Sequence, residues 1–501
     1  MHFYSQKNHA ILCIKKYYLY FCKEEITEQY PIFQNKMTKK IFHIILLCIT
    51  ASYITAAGKE RKAANPATSI RVSHTSLRLD VRDFATHTLW GKATLTIHAK
   101  EDGISIIPLQ LLCLNIDSVW IGNTPTSDYN YNDSTVAISL PHPMTMADST
   151  DVTIAYHGTP HVETFGGFGF YDAERMAHNM GVSFNDRPHN YGKSWFPCID
   201  DFCSRSTFDG YYQTSLDRKA IGNGLLMSCD TITESIISGA KTDSSLVWHW
   251  RLNQPIPDYL CNVAVGDYEK VHCEYYNGNR TIPIDAYVTP DETEGMKEAL
   301  ACISSALAVM ERHFGPYVWD RVGYVTVNSP SGAMEHATNI SIPRHPSSSA
   351  EYTEILIHEL IHHWFGDLVT CKTAGDMWLN EGITSYMVEL VAEEGDTPLD
   401  LKEYQAYLDS WQYSTPVGSA EYHALTDMPE DLTYGDITYL KGGWVMRQLR
   451  HELGDELFFK AMKQYTHDFA FRNASCKDFK ESIEKSTGRK LTSFFQKYIY
   501  K

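Results

Sequence analysis

A chain of 501 residues is longer than one hydrophobic core usually serves, so length alone predicts two or three domains. With 43% apolar and 21% charged residues it reads as globular. A formal charge of −17 without a long basic run excludes nucleic acid as a partner, because phosphates need clustered Lys and Arg.

In chain order, the first pattern is that of a secretion signal beginning at Met37. Lys39 and Lys40 form its charged start, Ile41 to Ile54 its apolar core, and Thr55, Ala56 and Ala57 a small-residue cleavage point. The apolar stretch contains His43 and falls short of the ~20 residues a membrane span needs. The expectation is therefore export to a periplasmic or extracellular space, removal of the segment at about 37–57, and no stable membrane span afterwards. On that reading residues 1–36 are an over-extended start, and 1–57 stand apart from the folded protein. Their loss takes away seven Lys and three Glu and deepens the charge to −21, while nine of the 12 Cys stay. An odd number of Cys without CxxC spacing argues against a disulfide framework or a cysteine–zinc site, although Cys198 and Cys203 could pair.

From Ser69 to about Asp267 the apolar residues recur with period two, as in Leu77, Leu79, Val81 and Ala93, Leu95, Ile97. Turn residues interrupt the pattern around Asn130–Ser134, Pro141–Pro143 and Asn223-Gly224, which predicts an all-β sandwich over 69–270. Beyond Asn277-Gly278 the pattern lengthens. A helix is expected from Glu292 to Phe314, strands over Val322–Asn328 and Asn339–Pro343, and helices thereafter. The predicted architecture is multidomain: the sandwich, then an α+β, mainly helical domain over 271–501.

Within that second region His358-Glu359-Leu360-Ile361-His362 places two histidines four apart, one turn apart on one helix face, where both can reach a single ion. Ser348 and Glu351 have capping-box spacing, Gly366 marks the helix end, and Ile355, Leu356, Leu360 and Ile361 supply a buried face. A catalytic zinc takes three protein ligands and keeps a fourth position for water. Glu381 is the candidate third ligand, at the start of a second helical pattern through Tyr386, Met387 and Leu390; on composition alone an exposed surface glutamate is an equal reading.

A family resemblance decides between them. HELIH, an eighteen-residue interval and a glutamate within Trp378-Leu379-Asn380-Glu381-Gly382 resemble the M1 zinc aminopeptidases, which are gluzincins. Gly332-Ala333-Met334-Glu335-His336 resembles their GAMEN exopeptidase motif, and Tyr439-Leu440-Lys441-Gly442-Gly443 the segment bearing their catalytic tyrosine. Trp195 to Asp200 and Leu260 to Asp267 resemble their WFPCxD and AVGD stretches, so the likeness covers residues 70 to 501. It implies a thermolysin-like catalytic domain, one Zn2+ per chain on His358, His362 and Glu381, and peptide substrates with a free N-terminal amine. Glu359 is then the general base toward water and Tyr439, rather than its rival Tyr434, the oxyanion donor. Gly332, Ala333, Met334, Glu335 and His336 bind substrate, Glu335 through its α-ammonium.

Three departures qualify the likeness. His336 stands where the family has Asn, and an imidazole can titrate near neutral pH. Asn185 or Asp186 and Lys193 stand near the family's glutamine and arginine at the substrate terminus. The large helical domain that caps the site in many members has no counterpart, which implies a more open site. The competing expectations are a non-catalytic peptide-binding protein on this scaffold and an epoxide hydrolase of the leukotriene A4 hydrolase type.

Overall fold

The alternating apolar residues of the N-terminal half do form strands. The computed structural model describes residues 69–501 except 164, 172, 174, 186, 188, 240, 330, 331 and 345–348. The signal-like segment, Asp186 and Ser348 lie outside the described residues. An eight-stranded sheet runs in the order Leu225–Glu234, Lys241–Pro257, Arg205–Thr214, Ile70–Asp83, Thr88–Ala99, Ser149–Gly158, Asn115–Ile121, Thr124–Thr126. Its one parallel pairing joins Ile70–Asp83 to Arg205–Thr214. Leu77, Leu79, Ala93, Leu95 and Ile97 are all buried on one face, as period two requires. A three-stranded sheet (Ile104–Gln110, Thr135–Met144, Tyr129–Tyr131) and a four-stranded one (Lys219–Gly222, Val263–Gly266, Met176–Met180, Gly167–Tyr171) complete the β region.

A second four-stranded sheet, Glu269–Tyr276, Thr281–Val288, Val322–Val327 and Ile340–Pro343, precedes the helices. Its last two pairings are parallel. The helix expected over 292–314 is two, Thr293–Leu300 and Ile303–Phe314; the chain turns at Ala301-Cys302, where the Cys302 carbonyl already accepts from Ser305 N–H at 3.0 Å to start the second. The order of a β domain followed by an α+β, mainly helical domain is the one read from the sequence. All described residues except Tyr434–Asp436 belong to one compact unit. The nine cysteines from Cys113 to Cys476 are free thiols, so the Cys198–Cys203 pairing is not made. Among the described residues no helix is long and apolar enough to cross a membrane.

Candidate metal centre

Helix Ser349–His362 carries the two histidines, and its apolar residues explain its position. Leu356, Ile357, Leu360 and Ile361 are fully buried, whereas Ile355 is only half-buried. The helix stops at His362, one turn before Gly366, because the chain is pinned there. The Trp319 indole N–H donates to His363 O at 3.0 Å and the Trp364 indole N–H to Gly315 O at 3.1 Å. Helix Trp378–Glu394 is buried almost throughout its length and presents Glu381 in its first turn. Its start is fixed by Asn380, whose Oδ1 accepts the Cys371 N–H at 2.8 Å.

The donor atoms converge. His358 Nε2 and His362 Nε2 lie 3.1 Å apart, and Glu381 Oε2 is 3.4 Å from the first and 3.2 Å from the second. A zinc ion with ligands at about 2.0–2.2 Å in tetrahedral array separates them by about 3.3 to 3.6 Å, and a shift of about 0.2 Å brings this triangle onto one ion. The tautomer fits too: His362 Nδ1–H donates to Phe365 O at 2.9 Å, leaving the Nε2 lone pair free toward the other ligands. Thr384 braces that carbonyl, donating its hydroxyl to Phe365 O at 3.1 Å and lying 3.3 Å from His362 Nδ1. The sequence reading missed both, because a main-chain acceptor leaves no mark in side-chain identity.

Glu335, Glu359 and His362 form a second group whose donor atoms all come within 4.8 Å. Both glutamates are buried. Burial raises the Glu335 carboxyl to about 7, against the pull of His362 and with the push of Glu381. Burial likewise holds Glu359 well above its ordinary range, with His362 opposing and Glu335 adding. Glu381 goes the other way: burial would raise it, but His362 and His358 hold it well below. Glu381 and Glu335 in turn keep His362 above the usual imidazole range although burial opposes them. Three acidic side chains beside an imidazole pair are a donor set suited to a dication, whose charge would favour their ionised forms.

Glu335 reaches the site from the sheet edge. Met334 makes a two-way antiparallel bridge with Ser341 of the edge strand, N–H to O at 2.8 and 3.0 Å. Gly332 begins the segment at φ +76, a left-handed conformation that favours glycine, with the Phe165 ring packed where a side chain would stand. Ala333 links it to Met334. His336 corrects an expectation: its side chain is turned inward, fully buried, its Nδ1 3.0 Å from Ser341 Oγ and its Nε2 where a side chain on Gly181 would point. Burial, helped by nearby His178, lowers its pKa to about 3, so it stays neutral through the working range instead of titrating near pH 7.

Tyr439 lies on a π-helical turn, Ile437–Lys441, rather than on a regular helix, and its ring stacks over that of His358 with centroids 6.4 Å apart. Such turns are frequent at functional sites. Lys193 does not supply a free cation for a substrate terminus. It is buried, its Nζ 3.1 Å from the Asp200 carboxylate, which also accepts the Gly192 and Lys193 N–H groups at 3.2 Å. Asn185 is exposed and donates its N–H to Glu163 at 3.1 Å.

Two histidines on one helix and a glutamate on the next, set beside a mixed sheet with a buried carboxylate at its edge, make a candidate metal centre. Residues 298–498 match the model of the peptidase family M1 domain. It is 30% identical over 302 residues to aminopeptidase B of Rattus norvegicus, covering 58% of this chain and 43% of that protein. To aminopeptidase N of Streptomyces lividans it is 26% identical over 286 residues, or 53% and 33% of the two chains. The chain thus spans less than half the length of either. An M1 zinc metallopeptidase from Deinococcus radiodurans shares the fold with a TM-score of 0.75 at 21% identity, covering 87% of this chain and 95% of its own. Legionella pneumophila aminopeptidase A aligns with a TM-score of 0.72 at 19% identity, over 88% and 50%.

Proposed function

We propose that the protein is a zinc-dependent aminopeptidase that removes the N-terminal residue of peptides. The observation that carries this reading is the meeting of two residue groups at one place. His358, His362 and Glu381 fit the metal, and Glu335 and Glu359 stand beside them. When bound, zinc supplies Lewis-acid polarisation of the scissile carbonyl and activation of water. Glu359, next to His358 on the helix, accepts the proton of the attacking water and passes it to the leaving amine. The Tyr439 hydroxyl donates to the developing oxyanion. Glu335 holds the substrate's α-ammonium, a charge that the interior of a polypeptide lacks, and the bridged main chain of Gly332 to Met334 lies along the substrate backbone. His336 supports this segment from within. Relatives named as aminopeptidases support the exopeptidase reading.

The test is hydrolysis of aminoacyl amides and their N-acetylated counterparts, with and without a chelator. Cleavage of the free-amine series alone, lost on chelation and restored by zinc, is the expected outcome. Equal cleavage of acetylated forms would remove the exopeptidase claim, and no cleavage by zinc-loaded protein would support a binding protein on this scaffold. Glu335→Ala is expected to raise KM for free-amine substrates about tenfold or more, the cost of an unpaired buried ammonium. We also propose export with removal of the segment at about 37–57, which N-terminal sequencing of the secreted protein tests.

A further inference from the structure

Lys441 closes the π-helical turn that bears Tyr439, and it is an unusual lysine. It is buried, and among the described residues no Asp or Glu side chain lies within ion-pairing distance of its ammonium. A buried ammonium is costly unless its donors are satisfied. Its contacts are the main-chain oxygen of Lys501 at 2.8 Å, the Tyr422 hydroxyl at 3.3 Å and the His423 carbonyl at 3.4 Å. The Tyr422 and Trp411 rings lie beneath it, 4.5 and 5.9 Å from the ammonium. These partners belong to the segment after helix Leu401–Asp409 and to the end of the chain, which are themselves joined by Leu425 N–H to Ile499 O at 2.8 Å.

The opposite side of the turn is fixed by bare backbone. Gly442 follows Lys441, and a Cβ on it would stand 2.8 Å from the Cα of Gly382, the residue after the metal ligand Glu381. The turn is thus pressed against the Glu381 helix on one side and tied by an ammonium to a separate layer on the other. Tyr439 lies between these anchors. A π-helical turn is a rare one-residue insertion in a helix, and a one-residue rotation would carry Tyr439 off the His358 ring.

We infer that Lys441 is a positioning residue: its ammonium locks the π-helical turn to the 411–425 and 499–501 segments and so fixes the Tyr439 hydroxyl at the reaction centre. This rests on the aminopeptidase reading above. Burial lowers the ammonium's pKa to about 8, so it remains mostly charged at neutral pH.

The test is a double-mutant cycle on the zinc-loaded full chain with a free-amine aminoacyl amide. Lys441→Met keeps the length of the side chain and removes the charge. Alone it is expected to lower kcat about tenfold with KM within about twofold, because the lost interaction acts in the transition state. In the Tyr439→Phe background the same substitution is expected to change nothing further. Equal losses in both backgrounds, or no loss in either, would overturn the inference. If Lys441→Met fails to fold, Tyr422→Phe replaces it, keeping the ring and removing one hydroxyl partner. A fall of about threefold in kcat that vanishes in the Tyr439→Phe background then supports the inference, and an additive effect sinks it. Wild-type protein inactive on every aminoacyl amide would instead defeat the aminopeptidase reading beneath it.

Discussion

At the scale of single residues, the proposed mechanism gives Glu359 and the histidines beside it different work, and substitution separates them. Glu359→Gln keeps the size of the side chain but cannot act as a base, so kcat is expected to fall about 10² to 10⁴-fold, the range of general-base catalysis, with one zinc per chain retained. His362→Ala is expected to lose the metal itself, read by atomic absorption after gel filtration. His336 gives a different signal. Its pKa is lowered to about 3 in the folded state by burial, and an unfolded histidine titrates near 6.5. Between those values the unfolded chain binds the proton and the folded chain does not, so stability falls as pH drops from 6.5 toward 3. His336→Asn removes that proton, and its acid destabilisation between pH 6 and 4 is expected to be shallower than wild type by up to about 1.4 kcal/mol per pH unit. Urea titrations of both proteins at pH 6 and 4 compare the slopes, and identical slopes would mean that His336 is already charged in the native state.

At the scale of elements, the site depends on how closely helix Trp378–Glu394 meets the Tyr439 turn. A Cβ on Gly382 would lie 2.8 Å from the Gly442 Cα and equally close to the Thr438 carbonyl, both unyielding backbone. Gly382→Ala should therefore push the turn away, costing about 1–3 kcal/mol of overpacking and lowering kcat along with stability. An alanine that left both unchanged would show that the helices repack freely. The same contact shows what the sequence could reveal. The candidate ligands His358 and His362 are legible because a helix turns every 3.6 residues, and the sandwich because strands alternate their sides. Glu381, Glu335 and Tyr439 sit on other elements, whose approach depends on close contacts such as Gly382 against Gly442, and local periodicity does not encode those. Resemblance to a family pointed to these residues; it could not show that His336 faces inward or that Lys193 is bound to Asp200. Those orientations follow from burial, which one chain read in isolation does not display.

At the scale of the whole molecule, the β region and the segment after helix Ser349–His362 are joined by a half-buried arginine. Arg205 starts a central strand of the eight-stranded sheet, yet its guanidinium reaches the segment that follows the metal helix. Nη1 donates to Asp367 O at 2.9 Å and to Pro255 O at 3.4 Å, while Nη2 donates to Arg472 O at 3.2 Å and to the Thr370 hydroxyl. Arg472 in turn belongs to the short strand that pairs with Val369–Cys371. One side chain thus fastens the sheet to both strands of that pair. Burial lowers the guanidinium to about 10, which still leaves it charged at neutral pH. Arg205→Ala leaves the buried Asp367 carbonyl without this donor and removes three further hydrogen bonds at the margin of the fold, so a loss of about 1–3 kcal/mol is expected. Arg205→Lys should recover little, since an ammonium cannot spread its donors across acceptors that a planar fork reaches together. Because residues on both sides of this contact belong to one compact unit, wild-type protein is expected to unfold in urea as one transition followed equally by tryptophan fluorescence and zinc release. In Arg205→Ala the two signals should separate, the metal leaving at lower urea than the sheet unfolds; coincident curves at an unchanged midpoint would mean that the sheet and the metal helix hold together without this arginine.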